Sequence, residues 1–295
     1  MSGMSQAFRA HIETGITTLC RAWAITRSDG QFFGFTDHDQ ALAFDGMEFK
    51  ADSGLSAMAL SQTTGLSVDN TEAIGALSHA SVRKDDIVAG RFDGAEVQAW
   101  LVNWTNADER WLQFRGTIGS IQRSGGAFNA ELRGLSEALN KPKGRVFQKP
   151  CSAVLGDGAC KFDVSAVGFS TELAVQVVKD GRAFLWDDIP GFSEGWFQRG
   201  RLDVVDGPGK GLWGIIKQDR TTAQGREVEL WTPLRSPIEV GNTIRLTAGC
   251  DKRFETCRLK LNNLMNFQGF PDIPGDDWLV AVPKKAGINS GGSRR

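Results

Sequence analysis

The chain has 295 residues, 41% of them hydrophobic, and a formal net charge of −1. That length supports two or three domains or one elaborate β architecture, and the apolar content excludes wholesale disorder. The near-neutral charge excludes a global basic field that would hold nucleic acid by its phosphates, and no apolar run approaches the roughly 18–20 residues needed to span a bilayer.

The elements follow in chain order. Residues 4–15 (MSQAFRAHIETG) predict a short amphipathic helix with Phe8 and Ile12 on one face. This stretch lacks the apolar core of a signal peptide, so synthesis and folding in the cytoplasm are expected. The chain then turns β-like, with a hairpin at Ser28-Asp29-Gly30 and further Asp-Gly turns at Asp45-Gly46 and Asp93-Gly94. The run AEVQAWLVNW reads as a strand, and WLQFRGTIGSIQRSGGAFNAELRGL reads as a hairpin around Gly125-Gly126. Residues 136–140 predict one helical turn, stopped by Pro142. From 166 to 247, six short apolar runs separated by turn residues predict a small barrel or sandwich. The expected class is mainly β, a multi-domain architecture of small barrels or sandwiches with few short helices. Its expected parts are an N-terminal β-rich domain (1–147), a first cysteine segment (148–165), a small inserted β domain (166–247), a second cysteine segment with an aromatic return (248–283) and a flexible tail (284–295).

Four cysteines flank that insert in two pairs: Cys151 and Cys160 in CSAVLGDGAC, then Cys250 and Cys257 in CDKRFETC. Four soft thiolates form the ligand set of an iron–sulfur cluster or a structural zinc. Cytosolic thiols stay reduced, so metal or cluster ligation outranks disulfides; the other readings are buried free thiols, or two disulfides formed after release from the cell. Zinc fingers and ribbons usually bring their ligands as close Cys-x2–4-Cys pairs, whereas the spacings here are eight and six residues, which suit a larger cluster. A continuous helix would separate Cys250 from Cys257 by roughly 10.5 Å along its axis, so convergence requires a loop or a broken helix there. Gly156-Asp157-Gly158 supplies the turn in the first loop. Cys20, on an expected strand, reads as an ordinary core cysteine.

Catalytic constellations are scarce. The histidines are His11, His38 and His79, and Thr36-Asp37-His38-Asp39 is the one cluster that could hold a divalent metal or supply a base. Such a string more often forms a polar turn whose side chains bond the backbone. Asp187-Asp188 and Asp276-Asp277 are adjacent pairs, which point to opposite faces of a strand. GPGKGLWG (207–214) lacks the full phosphate-loop pattern and reads as a β-turn. Trp186, Trp196, Trp213 and Trp231 offer either a sugar-stacking surface or a core or subunit interface, the latter preferred. No enzymatic activity is expected.

The sequence resembles the baseplate hub proteins of gene transfer agents and related siphophage tails. The likeness runs over roughly residues 5–280. It rests on GFTDHDQALAFDG, LSVDNTEAIGAL, AGRFDGAEVQAWLVNW and CSAVLGDGAC, and most specifically on WTPLRSPIEVGNTIRLTAGCDKRFETC and NFQGFPDIPG. The resemblance implies a structural hub that forms a homotrimer at the tail tip of a virion or phage-like particle. A distal tail protein and a large central tail-tip protein would be its neighbours, DNA would pass only in transit through its channel, and the chain would make no membrane insertion. The cysteine spacing is also similar to that of the tail-tip protein L of phage lambda, which implies a 4Fe–4S cluster on Cys151, Cys160, Cys250 and Cys257, with zinc as the second choice. Two other readings of the residues are a cytosolic iron–sulfur redox protein and a zinc-stapled carbohydrate-binding module.

Overall fold

The computed structural model describes residues 4–51, 55–57, 70–75, 83–124, 127–134 and 144–274. The chain divides into two compact units, Met1–Lys143 and Gly144–Arg295. Gly125-Gly126, the expected turn at 136–140, His79, Asp276-Asp277 and the expected tail at 284–295 lie outside the described residues.

The first unit opens with α1 (Gln6–Glu13), whose N-cap Ser5 accepts the Phe8 amide at 3.2 Å. Phe8 is the residue that α1 buries completely, a gain of about 2–3 kcal/mol by area. β1 (Leu19–Thr26) and β2 (Phe32–Thr36) form the hairpin expected at Asp29-Gly30. β3 (Leu42–Phe44) and β4 (Met47–Phe49) form a second one, turned by Asp45 and Gly46, both at positive φ (52° and 72°), as a tight hairpin requires. β5 (Leu55–Ala57), β6 (Asn70–Gly75), β7 (Glu96–Asn103), β8 (Arg110–Ser124) and β9 (Ala127–Gly134) complete an antiparallel seven-stranded sheet ordered β2-β1-β7-β8-β9-β6-β5.

β1 is covered on both faces. Trp23 and Ile25 enter one core with Phe35, Phe92, Val97 and Phe114. Cys20, Ala22 and Ala24 face a second core with Phe44, Phe49 and Trp100. The small residues of β1 let the β3–β4 hairpin pack close, with Phe44 stacked on Phe49 at 4.1 Å. A short helix, α2 (Lys84–Val88), was not expected. Its Asp86 pairs with Arg27 at 3.2 Å and with Arg91 at 3.1 Å, which anchors it beside Phe92.

The second unit is built around a sheet ordered β10-β16-β13-β14-β15-β12-β11. Its strands are β10 (Ser170–Ala174), β11 (Val177–Lys179), β12 (Ala183–Trp186), β13 (Arg201–Val204), β14 (Trp213–Thr222), β15 (Gly225–Leu230) and β16 (Thr243–Thr247). β10 and β11 stand at opposite ends of that order yet are consecutive in the chain, joined through buried Val175. The sheet therefore curls back on itself. β14 is long enough to serve both halves, pairing with β13 and with β15, with a bulge between Ile216 and Gln218. The enclosed core holds Phe184, Trp186, Phe197, Leu202, Ile216, Leu230, Ile244 and Leu246. β15 and β16 alternate buried and less buried residues, the period-two pattern of half-buried strands. The helix α3 (Phe254–Leu259) follows β16 after a short connection.

Candidate metal centre

All four paired cysteines fall in the second unit, so any link between them acts inside that unit. The first segment is shaped by Asp157. Its carboxylate accepts the amides of Val154 (2.8 Å), Ala159 (2.9 Å) and Cys160 (2.6 Å). These bonds, that from Cys160 foremost, hold the carboxyl below its usual range. Gly156 turns the chain there at φ +82°. Cys151 is fixed by its own amide, which donates to Lys252 O at 2.8 Å. The second segment breaks as its spacing predicts: Cys250 stands on irregular chain beyond β16, and Cys257 is carried by α3.

Three sulfurs accept N–H donors. The Gln268 amide lies 3.4 Å from Cys151 Sγ, the Lys252 amide 3.4 Å from Cys250 Sγ, and Asn263 Nδ2 3.5 Å from Cys160 Sγ. Cys257 instead donates its thiol proton to Asn263 O at 3.3 Å. Burial foremost, and then the charges of Cys250, Cys151 and Cys160, push the Cys257 thiol up to about 11. Burial also raises Cys250, against the bond from the Lys252 amide. The fourth thiol therefore senses the other three as neighbours. Each of the four is a free thiol. Among the described residues no three His, Cys, Asp or Glu side chains close on a single-ion position.

A cation stands beside this group. Lys260 Nζ donates to Trp196 O at 2.6 Å and Gly249 O at 2.9 Å, and lies 4.4 Å from the Trp196 ring centroid. Burial lowers its pKa, and the negative charges of Cys250, Asp251 and Asp219 oppose that fall. The donor set fits a metal–thiolate centre: soft ligands, N–H bonds aimed at sulfur and a nearby positive charge all favour the ionised sulfurs that a metal requires. Sequence reasoning missed this surrounding shell. Two of its donors are backbone amides, which leave no trace in composition, and Asn263 sits in no recognisable motif.

The other sequence-derived candidates have structural partners. Thr36 Oγ1 donates to Arg21 O at 2.8 Å, Asp37 accepts the Arg21 amide at 2.6 Å, and His38 Nδ1 accepts the Gln40 amide at 3.0 Å. The string is thus a backbone-bonding turn. His11 Nε2 accepts the Thr18 amide at 3.1 Å and so pins the end of α1. Residues 207–214 form the turn between β13 and β14, with Gly211 N donating to Val204 O at 2.9 Å. Asp187 is exposed. Cys20 is a core residue whose thiol burial pushes up to about 11.

The tryptophans divide. Trp186 is buried and its Nε1 donates to Ala174 O at 2.8 Å, while Trp196 packs against Phe169 and Phe192. Trp213 and Trp231 are 53% and 60% exposed, too open to be core. A cleft of about 1160 Å³ runs from Trp213 and Ile215 to Cys250. Its Arg201 is paired with Asp203 at 2.5 Å and its Arg245 with Glu172 at 2.6 Å. Among the described residues no histidine lines it.

A family model for the baseplate hub protein N-terminal attachment domain matches residues 5–163, which include Cys151 and Cys160. A second model, the phage conserved hypothetical protein BR0599, matches residues 195–277, which include Cys250 and Cys257. Among solved structures, a chain from the virion of a native gene transfer agent particle is 48% identical, with a TM-score of 0.90, over 98% of this chain and 99% of that one. No curated protein matches the sequence.

Proposed function

The chain belongs to the baseplate hub protein family, and we propose that it is the structural hub of a phage-like tail. It stands in the tail baseplate of the particle. It forms a homotrimer at the tail tip, joins a distal tail protein to a large central tip protein, and lines the channel through which DNA passes. Its work is structural rather than catalytic. The observation that carries this reading is likeness at 48% identity, over nearly the whole of both chains, to a component of a native gene transfer agent virion. A ring built from copies of one chain needs large self-complementary surfaces, and exposed Trp213 and Trp231 suit such contacts, where tryptophan is enriched. Light scattering on the purified chain, alone and with its tail neighbours, tests the assembly. A trimer that co-purifies with tail particles is expected. A chain that stays monomeric and never joins them overturns the reading.

The proposal includes a cofactor. Cys151, Cys160, Cys250 and Cys257 hold a 4Fe–4S cluster as a staple, with zinc as the second choice. The three N–H···S bonds, and the charges of Cys250, Cys151 and Cys160 that act on Cys257, support a thiolate-bound centre. The spacings of eight and six residues between partners favour a larger group over zinc. When bound, such a group supplies positive charge that keeps all four sulfurs ionised and ties their segments together. The chain's part is to bring Cys257 in on α3, to hold the Cys160 loop through Asp157, and to set Lys260 beside the thiolates. Iron, sulfide and zinc analysis with a visible spectrum tests it. A brown protein carrying inorganic sulfide is expected, and a colourless zinc protein removes the cluster.

A further inference from the structure

One side chain bridges the two cysteine segments. Asn262 adopts φ +46°, which turns the chain after α3 and faces Asn263 back toward the thiols. Asn263 Nδ2 donates to Cys160 O at 2.7 Å and reaches Cys160 Sγ at 3.5 Å, across 103 residues of chain. The Asn263 backbone amide donates to Cys257 O at 2.9 Å, and its carbonyl accepts the Cys257 thiol at 3.3 Å. Its Oδ1 accepts Asn266 Nδ2 at 2.7 Å. The orientation of the amide follows from chemistry: a carbonyl oxygen only accepts, so the nitrogen must face Cys160.

We propose that Asn263 is the positioning residue of the thiol centre. It holds Cys160 and Cys257 in register with each other, and through its N–H toward Cys160 Sγ it sets the electronic character of the bound group. This rests on the cluster reading above. Hydrogen bonds to ligating sulfurs withdraw electron density and raise the reduction potential of an iron–sulfur centre. Outer-shell partners also fix ligand orientation, and their loss typically weakens metal retention about 10–100-fold. Among the described residues, Asn263 supplies the one N–H···S donor that is a side chain, so it is the one that substitution can remove.

The test uses the full chain reconstituted with iron and sulfide without oxygen, as wild type, Asn263→Leu and Asn263→Gln. Leucine keeps the size and removes the donor, while glutamine keeps the amide with one extra methylene. Iron per chain, the rate of bleaching in air, and the midpoint potential from a redox titration followed by electron paramagnetic resonance are measured. Asn263→Leu is expected to bleach at least several-fold faster and to shift to a more negative potential, with Asn263→Gln between it and wild type. Circular dichroism checks that the strands persist. If the leucine variant does not fold, the glutamine variant decides alone. A variant that loads fully and matches wild type in potential and lifetime overturns the role of Asn263 and leaves the cluster standing. A wild-type chain that takes up neither iron nor sulfide overturns the cluster reading, and this inference with it.

Discussion

At Gly249, the presence or absence of one methyl group decides whether two stretches of chain can meet beside Cys250. A Cβ there would lie 1.7 Å from Gln198 O and 2.6 Å from Gly200 N, both backbone atoms that cannot swing aside. The same residue donates to Trp196 O at 3.1 Å, and its carbonyl accepts Lys260. Gly249→Ala must therefore move the exit of β16, and with it Cys250. Overpacking of this kind costs about 1–3 kcal/mol, or roughly 2–4 °C of melting temperature per kcal/mol in a unit of this size. Calorimetry should show the second unit melting several degrees lower, and, with the proposed cluster loaded, metal analysis should show less iron per chain. Wild-type values for both would mean that the backbone gives way without cost. At this scale the four candidate cysteines are legible in the sequence and their surroundings are not. Paired cysteines are rare and stand out, whereas the amides of Gln268 and Lys252 could belong to any residue. The tryptophans show a similar limit. Composition marks all four as contact residues, but which face each takes depends on strand register and on the bulge within β14, so Trp213 and Trp231 end outside while Trp186 lies within.

The hairpin of β14 and β15 carries a buried ion pair that fixes how these strands meet the loop before β13. Asp219 and Arg226 are 3% and 5% exposed, joined by contacts of 2.5 and 3.0 Å. Asp219 also accepts the Phe197 amide at 2.9 Å, and Arg226 donates to Ser193 O at 2.5 Å. The pair is therefore fully bonded at both ends. Removing one partner leaves an uncompensated buried charge, which costs about 3–5 kcal/mol, while replacing both with apolar residues costs much less. Urea unfolding should rank wild type first, then the Asp219→Leu/Arg226→Leu double variant, then Asp219→Leu alone. A single variant within about 1 kcal/mol of wild type would show the pair to be idle. Elements of this unit are readable from sequence because its strands are apolar runs set off by turn residues, and the six expected runs of 166–247 all carry strands, the first of them two. The helix α2 is not readable, since five residues are too few for a helical period and its stability comes from Arg27 and Arg91 elsewhere in the chain. The kink at Val175 escapes as well. TELAVQVV reads as one strand, yet its two halves pair with β16 and β12 at opposite ends of the sheet order.

On the scale of the molecule, the cysteine spacing acquires a definite mechanical meaning. The inner cysteines Cys160 and Cys250 bound residues 161–249, which contain the whole curled sheet. Joining the ends of such a segment costs roughly 4 kcal/mol of chain entropy. Protein contacts already meet part of that cost: the Lys252 side chain reaches Ala153 O, Phe270 N donates to Gln148 O at 2.9 Å, and Lys260 ties α3 to Trp196 and Gly249. A bound centre adds to these contacts, so its removal should loosen the flanking segments before the sheet itself opens. Both cysteine pairs lie in Gly144–Arg295, and the core built on β1 contains none of these four residues. Cys250→Ser should therefore open the second unit selectively. Under limited proteolysis, which tracks the population of opened chain when reclosure is fast, new cleavage sites should appear around 150–165 and 250–268. The fragment carrying β1, β7 and β8 should resist digestion as in wild type. Chelation of the wild-type protein should reproduce the same pattern. If Cys250→Ser digests like the loaded wild type, the thiols contribute nothing to holding the unit together. If both units open at once, the staple bears on the fold of the entire chain rather than on the segments it joins.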